Sequence, residues 1–220
     1  MPLAKELTEF TTSSPTIASY NYTDIINGLG FVVFQGFNSI DDTTASYGLT
    51  TNTLFSDSIL SQSATFTDTS FTEQLNVDLD SSAFTVPRDV KGTAYVNIPI
   101  TAKSLGEGDA STYAIVQLFH YDGSTETQMG TDQQTGTVSE PQTAKQSGRV
   151  ACLKFDISTL QHFAVGDVLR VTVKLFARVT ANSGGCGFYN DPSNRAGNDE
   201  GTIASPTTKF DVHIPFRINL

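Results

Sequence analysis

The sequence predicts an all-β protein, most simply an antiparallel β-sandwich of the jelly-roll type with an extended N-terminal arm. Three observations support this fold class. Hydrophobic residues recur at every second position in several segments, which is the period of a half-buried strand. The 17 Gly and 8 Pro residues divide the chain into short segments separated by turns. No stretch of 11 residues has a convincing helical period. An immunoglobulin-like sandwich is the second choice, although its Cys…Trp…Cys core pattern is absent.

The 220 residues suit one β domain preceded by an arm. Residues 1–20 are polar and contain a Thr/Ser run at 11–14 that is followed by Pro15. We therefore expect an extended arm rather than a helix. Residues 21–220 are predicted to form a single jelly-roll domain. Within it, Gly28 and Gly30 indicate a turn, and residues 38–70 indicate short strands and long loops. Residues 122–148 predict a projecting hairpin or loop, and residues 182–201 a long glycine-rich loop.

The strongest strand patterns begin at Phe71. Residues 71–80 place Phe71, Leu75, Val77 and Leu79 on one face. Residues 92–100, 113–121 and 149–157 predict three further strands. In residues 162–179, Gly166-Asp167 predicts a turn into a strand whose inward face is formed by Leu169, Val171, Val173, Leu175, Ala177 and Val179. The last segment, 209–220, alternates apolar residues with a polar row that contains Asp211, His213 and Arg217.

Charge and cysteine content restrict the partners. The net charge is −10, and residues 1–87 contain one basic residue, Lys5, against ten acids. Such a segment repels nucleic-acid phosphates, so we expect no nucleic-acid partner. No run of 18 apolar residues is present, and the N-terminus lacks the apolar core of a secretory signal, so we expect synthesis in the cytosol and no membrane partner. Cys152 and Cys186 are predicted to be free thiols.

The Asp211, His213 and Arg217 row is the first candidate for chemistry. Residues i and i+2 of a strand point the same way, so Asp211 could orient His213. A catalytic triad also needs a nucleophile placed by another strand, and the chain has no G-x-S-x-G elbow. Antiparallel sheets normally have one polar face. We therefore interpret the row as a solvent-facing or subunit-facing surface.

Two further groups of side chains could contact carbohydrate, a pair of carboxylates and a set of tyrosines. Asp78 and Asp80 lie on one face of a predicted strand, at a spacing that does not prohibit a glycosidase carboxylate pair. Solvated surface acids are the favoured interpretation. Tyr113, Tyr121 and Tyr189 could stack on a sugar. The candidate binding loop consists of Tyr189, Asn190, Asp191 and Arg195.

Metal and cofactor sites are not predicted. His120, His162 and His213 share no metal-ligand spacing, and neither cysteine belongs to a C-x-x-C pair. Asp41-Asp42, and Asn190-Asp191 together with 198–200, could supply oxygen ligands for Ca²⁺. Neither set fits the EF-hand spacing, and Asn and Asp are ordinary turn residues. We expect no catalytic residues, no metal and no cofactor.

Two segments carry a resemblance to a known class of proteins. They are PRDVKGTAYVNIPI (87–100) and HFAVGDVLRVTVKL (162–175), the second with the pattern Phe163, Gly166, Asp167, Leu169, Arg170, Val171 and Val173. Together with the polar arm, this style resembles jelly-roll structural proteins of virus particles, particularly capsid decoration (cement) proteins of tailed bacteriophages. The resemblance implies a trimer-forming virion component with no enzymatic residues.

These observations lead to ranked hypotheses. The first is a non-enzymatic virion structural protein, an outer capsid decoration or minor capsid subunit. It would form a homotrimer, bind a neighbouring capsid protein through its N-terminal arm, and reside in the virion after synthesis in the host cytoplasm. The alternatives are a carbohydrate- or receptor-binding module, such as a tail-fibre tip, and a major capsid subunit. A glycan partner would contact residues 122–148 or 182–201. An enzyme acting through Asp78, Asp80 or His213 is the least favoured.

Overall fold

The structure is a computed structural model that describes residues 18–19, 29–41, 44–52, 61–141, 145–194 and 208–217. The described residues form strands and connections, which confirms the predicted all-β class and sandwich architecture. None of them lies in a helix, so none forms a helix that could cross a membrane. The division into residues 1–20 and 21–220 stays a prediction, because only Ala18 and Ser19 of the arm are described.

The described residues contain fourteen strands. The first seven are β1 (Ala18–Ser19), β2 (Leu29–Asp41), β3 (Thr44–Thr50), β4 (Ser61–Phe66), β5 (Thr72–Ser81), β6 (Arg88–Ser104) and β7 (Ala110–Tyr121). The others are β8 (Glu126–Gln128), β9 (Gln133–Gln134), β10 (Val138–Glu140), β11 (Gln146–Phe163), β12 (Val168–Val179), β13 (Gly184–Tyr189) and β14 (Asp211–Arg217).

The strands form one continuous sheet that folds over into two facing layers. The first layer contains β7, β12 and β5, with β8, β9 and β10 along the outer side of β7. The second contains β11, β6, β14, β13, β2 and β4. β3 joins the layers, because it pairs with β2 in antiparallel fashion and with β5 in parallel. Between the layers, β6 lies near β7 and β13 near β12.

The core lies between the layers and follows the predicted alternation. All six predicted inward residues of β12 are buried, as are Val212, Ile214 and Phe216 of β14. On β6 the even-numbered residues Val96, Ile98 and Ile100 have no exposed surface. Burying one such side chain stabilises the fold by about 1.5–3 kcal/mol. The period of two is therefore the property that directs these strands to a common interior.

A turn explains the Phe163…Asp167 part of the motif. Gly166 has a φ of 99°, a conformation that glycine adopts without strain. The Asp167 carboxylate accepts a 2.7 Å hydrogen bond from the Ala164 N–H and lies 2.6 Å from His120 Nε2. The Gly166 N–H donates to the Phe84 carbonyl, and the Phe84 N–H donates to the Asp167 carbonyl. The turn is thereby fixed to both β7 and the β5–β6 connection.

The segment 122–141 does not project from the domain, contrary to the prediction. Its strands β8, β9 and β10 pair with β7. Met129 has no exposed surface, and Val138 and Glu140 are buried. The Ser147 hydroxyl of β11 donates to the Glu140 carboxylate at 2.7 Å. The segment therefore closes the side of the sandwich between β7 and β11, because its few apolar residues are placed where they enter the core.

The predicted glycine-rich loop begins as a strand. β13 pairs with both β4 and β6. A Cβ at Gly187 would lie 2.5 Å from the Gln62 carbonyl oxygen, and one at Gly184 would lie 2.6 Å from the Phe66 ring. The glycines therefore permit close strand packing rather than a flexible loop. Cys186 is buried within β13, Cys152 is exposed on β11, and both are free thiols as predicted.

The start of the domain also differs from the prediction. Gly30 lies inside β2 rather than in a turn, and β2 continues for 13 residues to Asp41. Its two sides are paired differently. β14 pairs with residues 29–35 on one side, while β3 pairs with residues 35–41 on the other. Ala18 and Ser19 of β1 pair opposite Val32 and Phe31. Two residues of the arm are thus part of the sheet.

Candidate functional site

The polar row of β14 lies on the outward face of the second layer. His213 Nε2 is 2.9 Å from Asp211 Oδ1, and the Asn97 side-chain amide donates to the same oxygen at 2.7 Å. Tyr95 lies directly across from His213 on β6. Arg217 is exposed beyond Pro215. The structure therefore joins Asp211 and His213, as the sequence suggested, and leaves Arg217 apart.

In the Asp211–His213 pair, an ionised carboxylate contacts the imidazole ring of the histidine. Burial raises the pKa of Asp211, but hydrogen bonds from His213 and Asn97 lower it more, so that it lies below its ordinary value. Since an ionised carboxylate only accepts, Nε2 carries the proton. In the part of the chain that the structure describes, no Ser or Cys side chain hydrogen-bonds to His213. The arrangement can orient an imidazole on an exposed sheet face.

Asp78 and Asp80 belong to an ionic network around Arg170. Arg170 donates to both oxygens of Asp80 at 2.7 Å and also to Glu126. The Thr172 hydroxyl donates to Asp78 at 2.6 Å. The guanidinium of Arg170 lies 4.3 Å from the centre of the Tyr121 ring.

This network engages both members of the predicted carboxylate pair. The pKa of Arg170 is raised, first by the hydrogen bond to Asp80 and also by Glu126 and Asp78. Asp80 is bound by a charge-assisted, two-point contact, the strongest kind of side-chain hydrogen bond. Its two oxygens are therefore occupied by β12 rather than free to act on a substrate. Tyr121 is likewise covered on one ring face by the cation.

The other two histidines also pair with carboxylates. His120 contacts Asp167, and His162 Nδ1 lies 2.6 Å from Asp89. The hydrogen bond from His120, and then that from the Ala164 N–H, hold the pKa of Asp167 below its ordinary value. Within the described residues, no group of three or more His, Cys, Asp or Glu side chains is placed to hold a metal ion. Asp42 and residues 198–200, part of the Ca²⁺ hypothesis, lie outside the described residues.

The predicted binding loop is mostly buried where it is described. Tyr189 is 4% exposed, and Asn190 and Asp191 have no exposed surface. The Asp191 N–H donates to the Thr208 carbonyl, and the Thr208 N–H donates to Asn194 Oδ1. Arg195 lies outside the described residues. As placed, these residues connect the end of β13 to the approach to β14.

Tyr113, which the sequence analysis named as a ring that could stack on a sugar, belongs to an aromatic cluster that was not predicted. Phe71, Tyr113 and Phe176 lie together on the outward face of the first layer, with ring centres 5.0 and 5.3 Å apart. The guanidinium of Arg178 lies 4.8 Å from the centre of the Phe71 ring. The predicted inward position of Phe71 is wrong, because a register shift in the β5–β12 pairing near Leu75 reverses the alternation before it. The near-regular spacing of the apolar residues conceals such a bulge.

Comparisons with known proteins yield structural likenesses without a family. No protein-family model matches the chain, and no curated protein matches its sequence. An α-amino acid ester hydrolase is similar over 77% of this chain and 34% of its own, with 10% identity and a TM-score of 0.43. A CocE/NonD-family hydrolase from Staphylococcus aureus is similar over 83% and 36%, with 11% identity and a TM-score of 0.40. A structure of the Gt strain of infectious bursal disease virus is similar over 87% of this chain and 43% of its own, with 8% identity and a TM-score of 0.24.

These likenesses bear on two of the predictions. Hydrolases are among the similar structures, which overturns the prediction that the chain is not an enzyme. Virus structures are also among them, at TM-scores of 0.24 and 0.22. The finer resemblance to phage decoration proteins stays a prediction. The chain spans about a third of the length of the hydrolase chains, and no activity follows from a likeness at these TM-scores.

Proposed function

We propose that the chain is a structural subunit of a virus particle, of the outer decoration or minor capsid kind, and that it assembles as a trimer. The observation that carries this proposal is the pairing of arm residues Ala18 and Ser19 with β2. An arm strand on a sheet gains backbone hydrogen bonds whether the sheet belongs to its own chain or to a neighbour. The arm is therefore suited to join subunits by exchange.

The shape and charge of the domain support the same proposal. A two-layer sandwich with long strands is an architecture that virus shells use repeatedly. The net charge of −10 opposes contact with packaged nucleic acid, which favours an outer position. Closed symmetric assembly is the usual outcome for identical subunits. A trimer would place three copies of the arm on three equivalent β2 edges.

The test is to break the β1–β2 pairing and measure the mass of the assembly. We expect the Ala18→Pro/Ser19→Pro variant to lose the trimer, because proline has no N–H to donate in a strand ladder. The Ala18→Thr/Ser19→Thr variant retains both N–H groups and is the matched control. Light scattering after size exclusion measures the mass. A wild-type chain that stays monomeric, alone and with virus particles, would contradict the proposal.

A second candidate function is carbohydrate or receptor binding, which the aromatic cluster favours. Phe71, Tyr113 and Phe176 are half-buried on an outward face and bordered by Arg178. Aromatic rings at a surface provide a large apolar contact area in a fixed geometry. A sugar ring would contact the cluster through its C–H face, while Arg178 would donate to its oxygens.

A glycan array tests this second candidate. Phe176→Ala removes one ring of the stacked pair. The variant should no longer bind any glycan on the array to which the wild-type chain binds. Tyr95→Ala removes an exposed ring from the opposite layer and serves as the control. Equal loss in both variants, or retention in both, would remove the cluster as the binding surface.

A further inference from the structure

A cavity of about 380 Å³ opens beside the first residues of β6. Its apolar wall is formed by Val32, Phe34, Leu49, Phe84 and Phe216. Small-molecule sites in proteins have volumes of about 300–1,000 Å³. At about 30 Å³ for each water, the cavity has room for roughly a dozen. The volume and the wall together fit an organic molecule with an apolar body.

Arg88 lines this cavity from an unusual position. The even-numbered residues of β6 point inwards, and Val90, Ala94 and Val96 are at most 1% exposed. Arg88 begins the same even-numbered series but, unlike those three residues, it is exposed. It lies across from Phe163 of β11, which has no exposed surface. The guanidinium therefore emerges where the apolar row ends and the cavity begins.

The guanidinium of Arg88 has no acidic partner within the described part of the chain. Across the described ranges, no carboxylate forms an ion pair with Arg88 and no side chain accepts its hydrogen bonds. The adjacent Asp89 points to the other face of the strand, where its Oδ1 lies 2.6 Å from His162 Nδ1. Arg88 thus retains five N–H donors, in the planar geometry that matches a carboxylate.

We propose that this cavity binds a small amphipathic carboxylate, of the size of a medium-chain fatty acid. The carboxylate would accept hydrogen bonds from Arg88, and the apolar body would lie against Phe34, Leu49 and Phe216. A neutral apolar molecule of the same size would leave the guanidinium without a partner. A polyphosphate carries more negative charge, and a protein with a net charge of −10 would repel it more strongly than a single carboxylate. The proposal is independent of the structural role proposed above.

Titration calorimetry with decanoate and decanol tests the charge requirement. Decanoate should bind the wild-type chain, and decanol should bind at least tenfold more weakly, because a charge-assisted contact is lost. Arg88→Gln should weaken decanoate binding by at least tenfold and leave decanol binding unchanged. Equal affinity for the two probes, or a failure of decanoate to bind the wild-type chain, would overturn the proposal.

A blocking variant tests the location. Ala83 also lines the cavity, so Ala83→Leu should fill part of the volume and remove decanoate binding. Ala181→Leu makes the same change at an exposed position that does not line the cavity, and it should bind as the wild type does. Decanoate binding that survives Ala83→Leu with unchanged affinity would place the site elsewhere. If Ala83→Leu does not fold, as judged by circular dichroism, Arg88→Gln with the two probes still decides.

Discussion

Arg170 and Arg88 are two arginines near the starts of long strands, with opposite surroundings. Arg170 donates to Asp80 and Glu126 and lies against the ring of Tyr121. Arg88 lines a cavity and contacts no acid among the described residues. The first guanidinium has its donors occupied by its own chain, so it serves the fold. The second retains them, so it can serve a ligand. The occupancy of the donors, rather than the residue type, separates a structural cation from a binding one.

The largest effect should come from removing the cation of the occupied network. Arg170→Met leaves Asp78, Asp80 and Glu126 close together without a positive charge, and it should lower the free energy of unfolding by about 2–3 kcal/mol. Arg170→Lys keeps the charge but loses the two-point contact, so its loss should be intermediate. Urea denaturation measures both. A change below about 1 kcal/mol for Arg170→Met would contradict the structural role.

The turn that precedes Arg170 provides a pH-dependent test. Asp167→Asn weakens the contacts with His120 and the Ala164 N–H, and it should destabilise the fold by about 1–2 kcal/mol near neutral pH. In the folded state the pKa of Asp167 lies below the ordinary aspartate value of 3.8, chiefly because of the hydrogen bond with His120. The stabilisation is therefore present above about pH 4 and is lost as the pH falls through the folded pKa.

Denaturation curves for the wild type and Asp167→Asn, recorded between pH 6 and pH 2, check this sign. The difference between the two chains should shrink as the solution becomes more acidic. A difference that grows below pH 4 would mean that the carboxylate of Asp167 does not stabilise the turn.

A smaller effect is expected at the edge of the Arg170 network. Thr172→Val keeps the shape of the side chain but removes the hydroxyl that donates to Asp78. We expect a loss of about 1 kcal/mol, the usual net value of one hydrogen bond. The double variant Thr172→Val/Arg170→Met should be less destabilised than the sum of the two, because both side chains contact Asp78. Strict additivity would argue that the network is not coupled.

The smallest effect is expected at Arg88. Without a ligand, Arg88→Gln should change the free energy of unfolding by less than about 0.5 kcal/mol, as is usual for surface residues that lack special contacts. The same variant should lose the stabilisation that decanoate gives to the wild type. Thermal denaturation with and without decanoate compares the two. A large destabilisation without ligand would assign Arg88 to the fold and remove the contrast with Arg170.

The sequence predicts those parts of the fold that depend on regular alternation. The inward faces of β12 and β14 are as predicted, because the inward residues of both strands recur at every second position, although Pro215 of the opposite series is also buried. The prediction fails where another constraint dominates. At Gly184 and Gly187 the close approach of β4 and its side chains requires glycine, so a composition typical of loops forms a strand. At Phe71 a bulge reverses the alternation.

The candidate sites were less predictable than the strands. The Asp211–His213 contact is local and could be inferred from the i, i+2 spacing. Arg170 and Asp80 are 90 positions apart, and only the pairing of β12 with β5 brings them together. The position of Arg88 did leave a signal, because it begins the even-numbered series that continues with Val90, Ala94 and Val96. The cavity beside it is lined by residues of β2, β3, β14 and the β5–β6 connection, which alternation within one strand does not bring together.

The pairing of β2 with β14 also affects how the protein folds during its synthesis on the ribosome. β2 ends at Asp41, and its partner strand ends at Arg217. Translation proceeds at about 5–20 residues per second, so roughly 10–35 s pass between the synthesis of β2 and that of β14. During this interval the backbone edge that β14 later covers is open to other chains. Expression level and growth temperature should therefore affect the soluble yield more strongly than the stability of the finished fold would suggest.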